Sequence, residues 1–247
     1  MIVCQARTGS TALATALIQH KQIAGHGEVF GGPRNPNAQI NIFGVQNKLK
    51  PPFVKYLRNL RNSDPVQFWT EILMVNSSEY KATGLKFKYE ELDHPQWAKL
   101  VDYIAGDQTI RIISLRRENL LDRELSEHMA LNVTRLFNTR DSNYKHNSDP
   151  VVLDEKKLQA GFERSYQLQE KYDELFKNHP GLNLTYNDIA LRGEDTFRRV
   201  QEFLGVDFQV INALTKKLQK EPASECIANY DDLKTYFSGS DYSQFFA

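Results

Sequence analysis

Met1-Ile2-Val3-Cys4-Gln5-Ala6-Arg7-Thr8-Gly9-Ser10-Thr11-Ala12-Leu13-Ala14-Thr15-Ala16-Leu17 is the stretch that decides the fold. Residues 1–5 are a short, mostly apolar run, which predicts a buried strand. Arg7-Thr8-Gly9-Ser10-Thr11 is a small polar loop. Residues 12–20 are helix formers, with Leu13 and Leu17 on one face at i, i+4. A loop between a strand end and a helix start is a ready anion site, because its backbone N–H groups point outward and the helix dipole adds positive potential. Gly9 lets the backbone approach a ligand closely. Thr8, Ser10 and Thr11 add hydroxyl donors, and Arg7 adds charge. The same residues could make an ordinary Ser/Thr helix cap, but the convergence of several donor types favours the anion. A Walker A loop needs Lys after its second glycine. Here Ser10 follows Gly9 and the nearby cation, Arg7, precedes it, which argues against ordinary ATP or GTP hydrolysis.

Outward from this unit the pattern alternates. Residues 23–30 read as a second short strand or loop. Residues 31–52 are rich in Gly, Pro and Asn and form a connection long enough for a lid or binding loop. Helices are expected over 53–62 and 66–75, broken at Asp64-Pro65. A strand is expected over 82–87, a helix over 94–104, and the clearest strand over 109–115. Residues 119–136 read as a helix and 140–150 as a polar loop. A long amphipathic helix over 154–178 is capped by Asp154 and ended by Pro180-Gly181. A short strand over 182–186 and a helix over 196–204, stopped by Gly205, follow. Strands alternating with helices predict one three-layer α/β domain over 1–247, its central sheet mostly parallel and covered by helices on both faces.

Composition bounds the partners. The 247 residues suffice for one well-filled domain. Lys plus Arg and Asp plus Glu both total 31, so no long-range positive field favours nucleic acid and any anion site is local. Cys4 and Cys226 match no metal spacing and no disulfide framework, which fits a reducing, cytoplasmic setting, and Cys4 reads as a buried thiol. No apolar run reaches the length of a membrane span. No signal peptide is visible, so the N-x-S/T triplets at Asn76, Asn132 and Asn183 read as chance matches.

A second anion motif lies further along. Ile112-Ile113-Ser114-Leu115-Arg116-Arg117-Glu118-Asn119 is a strand leading into a helix, and Ser126 follows on that helix. An Arg fork and a Ser hydroxyl at one helix entrance can grip a dianion. The plain alternative is a solvated Arg pair.

Gln5–Leu13 resembles the 5′-phosphosulfate loop of sulfotransferases that use PAPS (3′-phosphoadenosine 5′-phosphosulfate), in which a Lys or Arg precedes a small residue, Gly and two hydroxyl residues. The second motif resembles that family's 3′-phosphate site. The ten positions from Arg116 to Ser126 resemble the bacterial trehalose- and lipopolysaccharide-type members. Asn183-Leu184-Thr185-Tyr186-Asn187-Asp188-Ile189 is similar to the family's Tyr-Glu-Asp-Leu segment, with Asn187 in place of the usual acid, and Phe203-Leu204-Gly205-Val206 follows at family-like spacing. Asn229-Tyr230-Asp231-Asp232-Leu233 with Gly239-Ser240 looks like the end of bacterial members.

The resemblance implies a P-loop-like nucleotide-binding fold and PAPS as co-substrate, with no metal. Arg7, Thr8, Gly9, Ser10 and Thr11 would hold the 5′ end, and Arg7 would stabilise charge on the bridging oxygen. Arg116, preferred over Arg117, would hold the 3′-phosphate with Ser126. Tyr186 would lie near the adenine or serve as a core aromatic. Within His26-Gly27-Glu28-Val29-Phe30, Glu28 matches the proposed base of the trehalose-type enzymes, and His26 is the alternative. Lys86 and Lys88 read as a solvated strand end, although one could reach the transferred sulfonate. The expected reaction is sulfuryl transfer to a hydroxyl of a small-molecule or glycan acceptor. Asn35, Asn37, Gln39, Asn41 and Asn47 could meet a sugar or simply populate an exposed loop. The rivals are a P-loop kinase or hydrolase and an inactive PAPS/PAP-binding module. Oligomeric state stays open, a homo-oligomer included.

Overall fold

Ile2–Cys4 forms β1 in the interior of a four-stranded sheet. The computed structural model describes residues 1–31, 51–74, 79–141, 149–216, 218 and 221–246. The sheet order is β4 (Lys86–Lys88), β1, β5 (Ile112–Arg116), β6 (Gly181–Thr185), and every pairing is parallel. Strand alternation sends neighbouring side chains to opposite faces. Val3, Phe87 and Ile112 join one core with α2 (Pro51–Ser63), α3 (Pro65–Phe68), α5 (Ala98–Gly106) and α7 (Glu155–Leu175). Ile2, Cys4, Ile113 and Leu115 join the other with α1 (Ser10–Leu17) and α9 (Gly193–Leu204). The result is the expected helix–sheet–helix sandwich. Each large apolar side chain buried in these cores contributes about 1.5–3 kcal/mol.

A third core lies beside the sheet. There α6 (Leu120–His128), α7 and α11 (Tyr230–Tyr236) enclose Phe162, Phe237, Phe245 and Phe246. Local chemistry sets the helix ends. The Asp154 carboxylate accepts from Lys157 N at 2.8 Å to cap α7, and Gly205 ends α9 at φ 72°. The apolar patterns over 66–75 and 119–136 become α3 and α6, each continuing into a π turn, Trp69–Leu73 and Met129–Val133.

One expectation is corrected. The strand expected over 82–87 is two strands in two sheets. Ala82–Gly84 is β3, paired in parallel with β2 (Ile23–Gly25), and the chain steps across Leu85 to become β4. Gly84 has no side chain to pack and marks the step. The loop expected over 31–52 falls on 32–50, outside the described residues, as do its five Asn and Gln side chains and Asn76. Among the described residues no helix is long and apolar enough to cross a membrane.

Candidate active site

The chain leaves β1 at Gln5, whose amide donates to Ser165 Oγ of α7 at 3.0 Å. It then turns sharply. Arg7 has φ 67° and Gly9 φ 84°, both left-handed. This conformation is free for glycine and costs Arg7 about 1–2 kcal/mol. The N–H groups of Thr8, Gly9, Ser10 and Thr11 have no acceptor among the described residues, while Ala12 and Leu13 N–H already close on the Gly9 carbonyl. Such a nest of free amides at a helix start attracts anions. A Cβ at Gly9 would also lie 3.1 Å from Tyr186 Cδ2, tight enough that the ring would have to give by a few tenths of an ångström.

The three hydroxyls of the loop differ. Thr8 Oγ1 donates back to the Gln5 carbonyl at 2.9 Å, so Thr8 braces the loop and offers only its N–H. Ser10 hydrogen-bonds the Cys4 thiol, which burial pushes up to about 11; Cys4 is the inert buried thiol its setting predicts. Thr11 Oγ1 accepts from Lys86 Nζ at 3.1 Å.

The two anion motifs meet. Arg7 Nε donates to Ser126 Oγ at 3.0 Å, and Arg7 Nη1 to the Phe137 carbonyl at 2.6 Å. Burial lowers the Arg7 pKa, and the nearby Glu127 opposes it. The consecutive arginines at the end of β5 part company. Arg117 donates to the Arg7 carbonyl at 3.4 Å and to Asp122 at 3.1 Å, and its guanidinium lies 4.4 Å from the Tyr186 ring centroid. Arg116 is paired with Asp173 of α7. The structure therefore brings Arg7, Gly9, Arg117, Ser126 and Tyr186 together, with Arg116 in a separate ion pair. Tyr186 begins α8 (Tyr186–Leu191), held by the Thr185–Asp188 capping box, and is half-buried.

Glu28 arrives through the β2–β3 pair. His26 N donates to the Gly84 carbonyl at 2.8 Å and Lys86 N to the Gly27 carbonyl at 3.0 Å, so the chain after β2 is pinned beside β4. Glu28 then sits between two cations, 2.5 Å from Lys86 Nζ and 2.6 Å from Lys88 Nζ. Burial raises its pKa, but the two lysines outweigh that and hold it below the ordinary carboxylate value. Lys88 also meets Glu91 at 3.3 Å. Burial lowers the Lys88 pKa, and Glu91 and Glu28 together more than reverse that. His26 Nε2 sits 2.8 Å from the Leu73 carbonyl, and burial lowers its pKa, the backbone contact opposing.

The reading of Lys86 and Lys88 as a solvated strand end is corrected. The Lys86 side chain is 5% exposed and links Glu28 to Thr11. The signal was present in Lys86-Phe87-Lys88, where alternation puts both lysines opposite a core Phe. Arg123 carried no such signal. It is buried on α6, paired with Glu124 and Glu127, and donates to the Ala6 carbonyl at 3.4 Å. Arg117 and Arg123 thus hold two successive carbonyls of the left-handed turn.

No protein-family model matches the sequence, and no curated protein does. Among solved structures, a sulfotransferase from Alicyclobacillus acidocaldarius superposes with a TM-score of 0.50 at 16% identity, covering 96% of this chain and 90% of that one. The chain has the sulfotransferase fold. Mouse sulfotransferase SULT7A1 complexed with PAP matches with a TM-score of 0.44 at 13% identity, over 99% of this chain and 85% of that chain. In this sulfotransferase fold, β1, β5 and β6 each end beside the Arg7–Arg117–Tyr186 cluster, while β4 delivers Lys86 and Lys88 to Glu28. Among the described residues no group of three or more His, Cys, Asp or Glu is placed to hold a metal.

Proposed function

We propose that this protein is a PAPS-dependent sulfotransferase that transfers the sulfuryl group to a hydroxyl of a carbohydrate or glycolipid-type acceptor. The observation that carries the reading is the convergence of both anion motifs on one cluster, through Arg7 and Ser126 at 3.0 Å, beside a carboxylate held by two lysines. The free amides of Thr8–Thr11 suit the 5′-phosphate. Arg117 and Ser126 suit the 3′-phosphate better than Arg116, whose charge is engaged by Asp173. Tyr186 suits an adenine neighbour. PAPS supplies an activated sulfuryl group that an acceptor oxygen displaces in line.

The chain's own part is positioning and charge. Arg7 and Lys86 are placed to meet negative charge spreading over the group in transfer. Glu28, kept ionised by its lysines, is the proton acceptor for the acceptor hydroxyl. Lys86 spans Thr11 and Glu28, so its charge is shared between donor loop and base. His26, engaged by Leu73, fits a structural role better. A kinase or hydrolase reading lacks the Lys after Gly9. A cytoplasmic setting accords with the buried, unreactive Cys4.

Calorimetry with PAP, AMP and ATP, followed by transfer of labelled sulfate from PAPS to a panel of hydroxyl acceptors, tests the proposal. PAP must bind more tightly than AMP and ATP. Equal binding of PAP and AMP removes the 3′-phosphate assignment. PAP binding with no transfer to any acceptor points instead to an inactive binding module.

A further inference from the structure

Arg61 lies in the last turn of α2 and is 2% exposed. An arginine is almost never fully buried unless it is paired. No Asp or Glu pairs with Arg61 among the described residues, and burial and the like charge of Arg58 both lower its pKa. The residues outside that set contain no Asp or Glu. The guanidinium instead donates from Nη1 to the Val29 carbonyl at 2.9 Å and from Nε to Asn62 Oδ1 at 3.0 Å, and lies 5.8 Å from the Trp97 ring centroid. A buried cation without a counter-charge is costly, and an apolar side chain would fill this space without that cost. What such a side chain could not do is hold the Val29 carbonyl.

That carbonyl belongs to the residue after the proposed base, and the peptides on both sides of Glu28 are fixed. Gly27, at φ 62°, has its carbonyl held by Lys86 N at 3.0 Å. Val29, itself fully buried, has its carbonyl held by Arg61. Phe30 then stacks on Phe87 with ring centroids 5.1 Å apart. Donors from β4 and α2 therefore set the direction in which the Glu28 side chain leaves the backbone, and its carboxylate lands between Lys86 and Lys88. A buried carbonyl that loses its donor carries a penalty until it finds another. Without Arg61 the peptide after Glu28 would turn to find one, and the carboxylate would turn with it.

We propose that Arg61 is a positioning residue for the transfer reaction, which acts through the Val29 carbonyl to hold Glu28 between Lys86 and Lys88 and touches neither donor nor acceptor. The inference rests on the reading of Glu28 as the base of a sulfotransferase. The charged groups facing Glu28 are Lys86 and Lys88 on β4, with Glu91 and the Cys4 thiol beyond them. The two lysines hold its carboxyl below the ordinary value of 4.5, so the Glu28 titration reports whether the side chain still sits between them.

Carbon-13 NMR titration of the Glu28 carboxyl, assigned with Glu28→Gln, tests this on the full chain alongside calorimetry of PAP binding. Arg61→Met should raise the Glu28 midpoint toward 4.5 and leave PAP affinity unchanged. Arg61→Lys keeps the charge but lacks the planar fork, so its midpoint should lie between those of the parent and Arg61→Met. Leu57, fully buried one turn back on the same face of α2, is the control. Leu57→Ala should lower Tm and leave the midpoint at the parent's value. A parental midpoint in Arg61→Met overturns the inference, and so does one in Arg61→Lys, because charge alone would then suffice. An equal rise in Leu57→Ala overturns it as well, since any loosening of α2 would then have the same effect. Should Arg61→Met fail to fold, Arg61→Lys and Leu57→Ala decide. Loss of PAP affinity in a folded Arg61 variant overturns it in favour of a role on the donor side. Failure of the parent to bind PAP, with the titrations as expected, overturns the sulfotransferase reading and the role of Arg61 in transfer with it.

Discussion

Glu28 is ionised because Lys86 and Lys88 flank it, and its depressed pKa has a kinetic consequence. A base must be deprotonated to act, so the acid limb of kcat/KM should lie below the ordinary carboxylate value of 4.5, with the rate level from neutrality down to that region. An acid limb in the imidazole range would transfer the role to His26. Glu28→Gln should lower kcat by about 10²–10⁴, the usual worth of a general base, while PAP binds as before. The same pairing bears on stability. A carboxylate with a depressed folded-state pKa contributes stability that is present above its unfolded pKa and lost as pH falls through the folded one. The Gln variant should therefore show a flatter acid limb of Tm against pH than the parent. The two arginines at the end of β5 separate just as sharply. Arg117→Ala should weaken PAP binding by about 1.5–3 kcal/mol, the value of a hydrogen bond to a charged group, and leave AMP binding less affected. Arg116→Ala, which breaks the pair with Asp173 on α7, should change PAP affinity far less. The reverse order would restore the reading made from sequence.

At the scale of elements, the β1–α1 turn is built around two left-handed residues, Arg7 and Gly9, and a Cβ at Gly9 would crowd Tyr186. Gly9→Ala combines a backbone cost of about 1–2 kcal/mol with a Cβ 3.1 Å from Tyr186. It should lower Tm and weaken PAP binding, and displacement of Tyr186 should show in its fluorescence or ring NMR signals. An unchanged Tyr186 signal together with parental PAP affinity would contradict the contact. This turn was legible in the sequence, because Gly and hydroxyl residues between an apolar run and a helix pattern have few other uses. The parallel sheet and the long α7 were legible for the same reason, local pattern agreeing with tertiary role. The split of 82–87 into β3 and β4 was not. Its residues are equally strand-like throughout, and only pairing partners distant in the chain, β2 and β1, decide which sheet each half joins. The choice between Arg116 and Arg117 was hidden too. Adjacent strand-end residues point to opposite sides, and sequence does not say which side holds the loop. Arg123 lay on a helix whose apolar neighbours gave no hint that a guanidinium would be buried behind the Ala6 carbonyl.

At the scale of the molecule, the cluster proposed to hold the donor draws on three separate crossings of the sheet. Arg7 and Gly9 follow β1, Arg117 and Ser126 follow β5, and Tyr186 follows β6, so side chains distant in sequence meet only in the folded chain. A ligand gripping all three binds the native state and not the unfolded one. It must then stabilise the whole domain by mass action, by about 2.7 kcal/mol at a hundredfold excess over Kd. For a domain of this size each kcal/mol moves Tm by about 2–4 °C, so PAP at that excess should raise Tm by about 5–10 °C. AMP at the same concentration lacks the 3′-phosphate proposed to meet Arg117 and Ser126, and should give a smaller shift. Arg117→Ala should bring the PAP shift down toward that of AMP, because it removes the contribution of one crossing and leaves the β1–α1 turn in place. The measurement is a thermal scan of parent and variant against both nucleotides. A PAP shift no larger than that of AMP in the parent would mean that the two anion motifs, although adjacent, do not act on one ligand.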